Sequence, residues 1–401
     1  MKAALTLASK LTVGALFGIG CTICAPRSLR ADPLRLRADA IGSTTSPVGL
    51  LVLRGEDKFK PWLDAEAVAW VGATSTPDVT GDALVLTVRA RDLQGRGEVR
   101  VGRFVHVSGA VRPLHIDGLR ATGRILASGT SVEVFTGAPV VMRFGTRPYD
   151  VAWGGRISQI AFGTLSFGVS YLQRHVGASV LDREVGPDLT FAPTEWFDFA
   201  GRAAYDLVSS RPTDALASLA LKTGPLRTEA FVTHRSAGRL LPATSLFSVL
   251  GDIPSTTSGL SLRLHAAPRL DLWATGAALV QGDELGGYAT GRASLALDDA
   301  HDGSVGFEVR RQYFGTARWS GGRVFTRVPV SRTFAATAEF ELVVPDKPVG
   351  TSKVWPWGLL AIAYRISPNW DVAGAVEAMR TRDDRNEVHG LVRATWSLEK
   401  L

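Results

Sequence analysis

From about Leu34 to Leu401 the chain alternates apolar and polar residues, in segments of roughly ten residues with turn residues between them. Period two is the signature of β-strand, because successive side chains leave a strand on opposite faces. Phe199, Gly201, Ala203, Tyr205 and Leu207 alternate with Ala200, Arg202, Ala204 and Asp206. Leu260, Leu262 and Leu264 alternate with Ser261, Arg263 and His265. The same holds for Ala289–Leu297, Val305–Val309, Phe334–Leu342 and Val388–Leu398. Leu34–Ile41, Trp62–Val71, Ala83–Arg91, Glu98–Val107, Leu119–Leu126 and Thr130–Phe135 read as further strands. A chain of strands with so little else folds as a sandwich or a barrel.

What precedes the strands narrows the choice. Lys2 and Lys10 open residues 1–31, and Leu11–Ala25 is an uncharged, mostly apolar run. That run is short for a membrane-spanning helix and suits a secretory signal peptide. Ala25 and Ala31 both offer cleavage sites, with Pro26 disfavouring the first; a retained anchor is the alternative. Cys21 and Cys24 both lie in this leader, so a mature chain from residue 32 has neither disulfide nor thiolate metal site. Gly18-Ile-Gly-Cys21 lacks the Leu usual at a lipoprotein processing site. Lys2, Lys10, Arg27 and Arg30 carry four of the seven net positive charges, leaving +3 for residues 32–401. The remaining basic residues are scattered among acids with no Lys/Arg block, which argues against nucleic-acid binding.

The chain is 45% hydrophobic, yet no uncharged apolar stretch of 18 residues follows the leader. The apolar residues are spread over alternating positions and include many Ala and Gly. A soluble core favours larger side chains for packing volume. A surface facing lipid only has to be apolar, since lipid tails fill the gaps, and charges on the opposite face need a wet lumen. The fold class expected is therefore all-β, a closed antiparallel transmembrane β-barrel filling residues 32–401 as a single domain. Candidate strands number about 18–21, but at roughly 20 residues per strand and connection the expected count is about 16–18, with 18 preferred.

Turn chemistry suggests two unlike rims. Phe191–Trp196, Lys222–Leu226, His265–Leu270 and Arg365–Trp370 are tight, Pro-containing connections, and Pro329–Thr333 resembles them. Pro193, Pro225, Pro268 and Pro368 then mark one rim, the periplasmic one. Longer polar stretches at Ser209–Thr213, Asp298–Gly303, Tyr313–Gly322, Pro345–Lys353 and Thr381–Asn386 are expected on the other. The irregular Gly137–Pro148 suits a loop folded into the lumen. Trp196, Phe197, Trp273, Trp355, Trp357, Trp370 and Trp396 sit near strand ends, where aromatic girdles meet the membrane interface; ordinary core packing is the alternative.

Residues that could carry chemistry are sparse. None of the seven His forms a His-x-x-x-His pair, and His115-Ile-Asp117 is the nearest approach to a metal pair. His234 and Ser236 are a close His and Ser, but no Gly-x-Ser-x-Gly elbow surrounds any Ser. No phosphate-cradling Gly-rich loop is present. No cofactor, metal or catalytic activity is expected. The polar faces are more informative: with apolar faces turned to lipid, Arg89, Arg91, Arg202, Arg263, Arg292, Arg310 and Arg393 line the lumen with Asp206, Glu308, Glu339 and Glu341. Arg outnumbers acid there, which biases a pore toward anions unless the charges pair across strands.

Val99-Arg-Val-Gly-Arg103, followed by Ile116-Asp-Gly-Leu-Arg-Ala121 and Val132-Glu-Val-Phe135, resembles a pattern in large outer-membrane porins, alginate-export-type channels among them. Those carry an Arg-x-Gly-Arg-Gln strand and a later Asp-Gly-x-Arg-Ala strand; here Phe104 stands in place of the Gln. Such barrels end in an aromatic residue read by the assembly machinery, whereas this chain ends Trp396-Ser-Leu-Glu-Lys-Leu401. The resemblance implies a porin-like monomer or homo-oligomer conducting small solutes or a polysaccharide. Composition and resemblance converge on an outer-membrane channel of a Gram-negative-type cell, mature after signal-peptide removal. Its partners would be outer-membrane lipid, small solutes and the barrel-assembly machinery. A plugged structural or surface-interaction barrel, a barrel enzyme and a soluble exported β-protein are the alternatives.

Overall fold

In the computed structural model, residues 34–44, 48–73, 79–140, 149–236, 254–315, 317–347, 353–380 and 385–399 are described. The expected leader at 1–31 lies outside them, as do 141–148, 348–352 and 381–384 of three expected loops. The strands are β1 (Arg35–Ser43), β2 (Val48–Lys60), β3 (Leu63–Ala73), β4 (Val79–Arg91), β5 (Gly97–His106), β6 (Leu114–Ile125), β7 (Thr130–Pro139) and β8 (Val151–Ala161). They continue as β9 (Leu165–Val176), β10 (Ser179–Thr194), β11 (Phe197–Asp206), β12 (Arg211–Thr223), β13 (Leu226–Arg235), β14 (Ser255–Ala267) and β15 (Leu270–Gln281). The last seven are β16 (Glu284–Ala296), β17 (Ser304–Phe314), β18 (Ala317–Pro329), β19 (Phe334–Pro345), β20 (Trp355–Ser367), β21 (Trp370–Arg380) and β22 (Asn386–Glu399).

Each strand pairs antiparallel with its neighbours in sequence, and β1 closes on β22 with Ala38 opposite Trp396 and Asp39 opposite Thr395. The result is a closed antiparallel 22-stranded barrel. Thr395 donates a hydrogen bond from Oγ1 to Asp39 Oδ1 at 2.6 Å across the seam. Closure leaves no strand edge unpaired, a condition any sheet must meet to cross hydrocarbon.

The count of 22 corrects the expected 16–18. The allowance of about 20 residues per strand assumed long connections on one rim. Several connections on that rim are in fact as short as those opposite, such as Gly177-Ala178 and Gly282-Asp283. Gly177 and Gly282 have φ of 56° and 59°, the left-handed backbone that a two-residue hairpin needs. β2 is absent from the N-terminal runs read above; its alternation is hidden by consecutive apolar residues at Leu50–Leu53 and charges at Glu56–Lys58. Asp298–Gly303 joins β16 to β17 on the rim shared with the Pro turns and with both ends of the barrel chain, not on the opposite rim. Tyr313–Gly322 is mostly strand.

Registers carry the two faces around the ring. Leu260 lies opposite Gly276, Gly276 opposite Ala289, and Val309 opposite Gly291, all on the convex side. Leu86, Val101, Val134, Ile157, Phe307, Phe340, Leu360 and Val392 stand exposed on that side. Trp370 faces Trp396 across β21–β22, and Trp196 and Phe197 pack edge-on at 5.9 Å, all on the rim of the Pro turns. Trp273, Trp355 and Trp357 depart from the expected girdle. Their register partners Arg292, Val343 and Glu341 belong to the concave face.

Candidate channel lining

The concave wall divides into two unlike sectors. Over β5–β10 it is covered. The β5–β6 connection, Val107–Pro113, turns inward and crosses to β10, where a side chain at Gly186 would meet Ala110 Cβ at 2.7 Å. Gly109 has φ of 51° and no room for a Cβ beside Ser170, Asp188 and Arg156. Beneath it, Phe104, Val111, Leu114, Ile116, Phe135, Tyr149, Ala152 and Leu172 form a buried apolar cluster inside the barrel. The expected inward segment was Gly137–Pro148. Of it, Gly137–Pro139 completes β7, residues 141–148 lie outside the described residues, and the flanking Val140 and Tyr149 are buried. One sequence signal did mark this sector: Val132-Glu-Val-Phe135 places apolar residues on both faces, as a strand covered on both sides requires.

The inward segment is fastened by charge. Arg112 donates from its backbone N to Glu184 Oε2 at 3.0 Å and from Nε to Glu184 Oε1 at 2.8 Å. Its Nη1 lies 3.6 Å from Asp182 Oδ2, which Arg174 also engages; Arg174 Nε donates to Asp182 Oδ1 at 2.9 Å. Burial opposes the charge on Arg112, but Glu184 and Asp182 outweigh it, and the guanidinium stays protonated above its usual range. Burial pushes the Tyr149 phenol up to about 12, with the Arg174 guanidinium 5.0 Å over its ring opposing the rise.

Elsewhere on this face most charges pair across strands. Arg89 and Arg91 share Asp64, at 2.9 and 2.8 Å. Arg120 donates to Glu133 at 2.7 Å, Arg156 reaches Asp188 at 2.6 Å, and Arg202 lies 3.3 Å from Asp214. Arg310 holds Glu308 at 3.2 Å and also Glu341, while Arg323 holds Glu339. Asp206 accepts from the backbone of Val208 at 3.0 Å and from Ser209 Oγ at 2.6 Å, so it is spent on the β11–β12 turn.

The sector from β14 to β18 is arranged differently. Arg292 lies 5.1 Å from the Trp273 ring centroid and 4.4 Å from that of Phe325, and Arg263 stacks on the other side of the ladder at 5.3 Å from Trp273. Among the described residues no carboxylate lies within 4 Å of Arg263, Arg292 or Arg393. Aromatic faces attract a guanidinium without neutralising it, and both Arg263 and Arg292 stay exposed on the concave face. The arginines singled out from sequence thus fall into two groups on one face: Arg89, Arg91, Arg202 and Arg310 ion-paired, and Arg263, Arg292 and Arg393 without an ion pair among the described residues.

Sequence-derived candidates for other chemistry are engaged elsewhere. His115 Nε2 lies 2.7 Å from Leu84 O, and Asp117 accepts from Arg103 Nε at 2.8 Å on the convex side. His234 Nδ1 pairs with Thr256 Oγ1 at 2.8 Å, whereas Ser236 Oγ donates to Thr213 O at 3.2 Å, so the two do not meet. Among the described residues no group of three or more His, Cys, Asp and Glu is placed to hold a metal ion.

No protein-family model matches the chain, and no curated protein does. Solved structures match over most of its length. A mutant of the ferric enterobactin receptor PfeA from Pseudomonas aeruginosa aligns with a TM-score of 0.61 at 9% identity, over 92% of this chain and 81% of that one. The copper transporter OprC aligns at 0.59 and 10% identity, over 93% and 82%. Pseudomonas aeruginosa OccK11 aligns at 0.43 and 12% identity, over 92% and 96%. At these identities the likeness to PfeA and OprC establishes a shared barrel fold and nothing further.

Proposed function

We propose that the chain is an outer-membrane channel of the porin type, through which small solutes diffuse passively with a preference for anions. The closed barrel with its apolar convex face is the architecture that crosses an outer membrane. From strand spacing and tilt, its bore is on the order of 40 Å between opposite backbones, wide enough to hold water beyond the covered sector. The observation carrying the anion preference is the pair Arg263 and Arg292, ring-stacked, exposed on the concave face and with no carboxylate within 4 Å among the described residues. Fixed cationic donors along a pore wall concentrate anions and repel cations. Planar-bilayer recording in a salt gradient tests this. The reversal potential is expected on the anion side, and R263S/R292S should move it toward zero, while R202S/D214N, which removes a cation together with its facing carboxylate, should change it less. Cation selectivity in the unmodified protein removes the anion reading.

A second reading, a plugged structural or surface-interaction barrel, is favoured by the inward Val107–Pro113 and the apolar cluster beneath it. Barrels of this strand number elsewhere carry a filled lumen. A folded, heat-modifiable protein that gives no conductance would select it.

A further inference from the structure

The convex face of β14–β17 carries a trough. Its floor is Ala274 and Gly276 of β15 with Ala289 and Gly291 of β16, and its walls include Leu260 and Val309; its volume is about 670 Å³. The trough is open to whatever surrounds the barrel, and the side chains along it are apolar. At the end nearer the β17–β18 connection the character changes. Arg311 borders the trough, donating to Ser320 Oγ at 2.9 Å and to Asp346 Oδ2 at 2.6 Å. Arg318, opposite Tyr313 on the same face, donates from Nε to Gly315 O at 3.2 Å, and exposed Lys347 follows Asp346. Among the described residues Arg311 and Arg318 thus face one outer carboxylate, Asp346; Glu284 beside Gly315 belongs to the concave register.

An apolar groove that ends in excess cationic donors complements an amphiphile with an anionic head. We propose that this trough binds one phosphate-bearing lipid, with an acyl chain along Gly276 and Ala289 and the phosphate held by Arg318 beside the Arg311–Asp346 pair. In hydrocarbon such a groove is filled by a tail in any case; the cationic end is what selects the head, since basic side chains at a membrane surface attract anionic lipid. The assignment requires the barrel to lie in a membrane but does not depend on conduction.

The full chain, folded in a neutral detergent, is titrated with dimyristoyl phosphatidic acid, dimyristoyl phosphatidylcholine and inorganic phosphate, and bound species are counted by native mass spectrometry. One phosphatidic acid is expected to be retained, with phosphatidylcholine weaker and inorganic phosphate not retained. R318A should weaken phosphatidic acid by about fivefold. G276L should do so by filling the trough, because a Cβ there meets nothing within 4 Å and the barrel tolerates it. A289L is the second filling variant, and unchanged heat-modifiable migration certifies each fold. Equal retention by the filling variants overturns the proposal, as does inorganic phosphate binding as well as lipid. Self-association abolished by G276L with no change in lipid binding would instead assign the trough to a second copy of the chain.

Discussion

Glu184 has no exposed surface on the covered part of the concave wall. It is tolerable there because Arg112 supplies a backbone and a guanidinium donor to the two carboxylate oxygens. Removing Glu184 leaves buried Arg112 facing the more distant Asp182, 3.6 Å away and shared with Arg174. E184A is therefore expected to lower stability by about 3–5 kcal/mol, read as the shift in urea unfolding from liposomes followed by Trp fluorescence. Replacing both partners by apolar residues, R112M/E184L, should recover most of that loss, because no orphaned charge remains. A loss in the double variant as large as in E184A would show that the segment is held by something else. Neither partner announced itself in sequence: Arg112 and Glu184 are 72 positions apart, and no local pattern links them.

At the level of elements, the strands were readable because their signal is local. A face alternates within a few residues, so Phe199, Gly201, Ala203 and Tyr205 declare their side without reference to a partner. What alternation cannot declare is how close two backbones come. Gly102, Gly118 and Gly137 lie opposite one another across β5, β6 and β7. A Cβ at Gly118 would sit 2.1 Å from Thr136 O, and Gly102 has φ of 119°, outside the range of most side chains. G118V is expected to block formation of this corner, giving loss of heat-modifiable migration or a strongly lowered urea midpoint. G42A, whose Cβ meets nothing within 4 Å, should fold as the parent does. If both behave alike, close backbone approach does not decide the corner. The inner aromatics were misplaced for a related reason. Trp273, Trp355 and Trp357 look like girdle residues by position along the strand, and only parity against Arg292, Val343 and Glu341 puts them inside.

For the whole molecule, the inward Val107–Pro113 and its buried cluster narrow one side of a wide bore. Replacing this segment by a two-residue turn is expected to raise single-channel conductance severalfold while leaving the barrel closed; unchanged conductance would place the narrowing elsewhere. Fold class, the two-faced wall and the tight Pro turns at 225, 268 and 368 were set by the sequence alone, because alternation and turn chemistry act over a few residues. The number of strands, the fastening of the inward segment and the division of the arginines into those with and those without an ion pair were decided only in the tertiary structure. Those properties depend on ring closure between β1 and β22 and on which residues meet across strands, and such contacts join positions that no window of sequence contains.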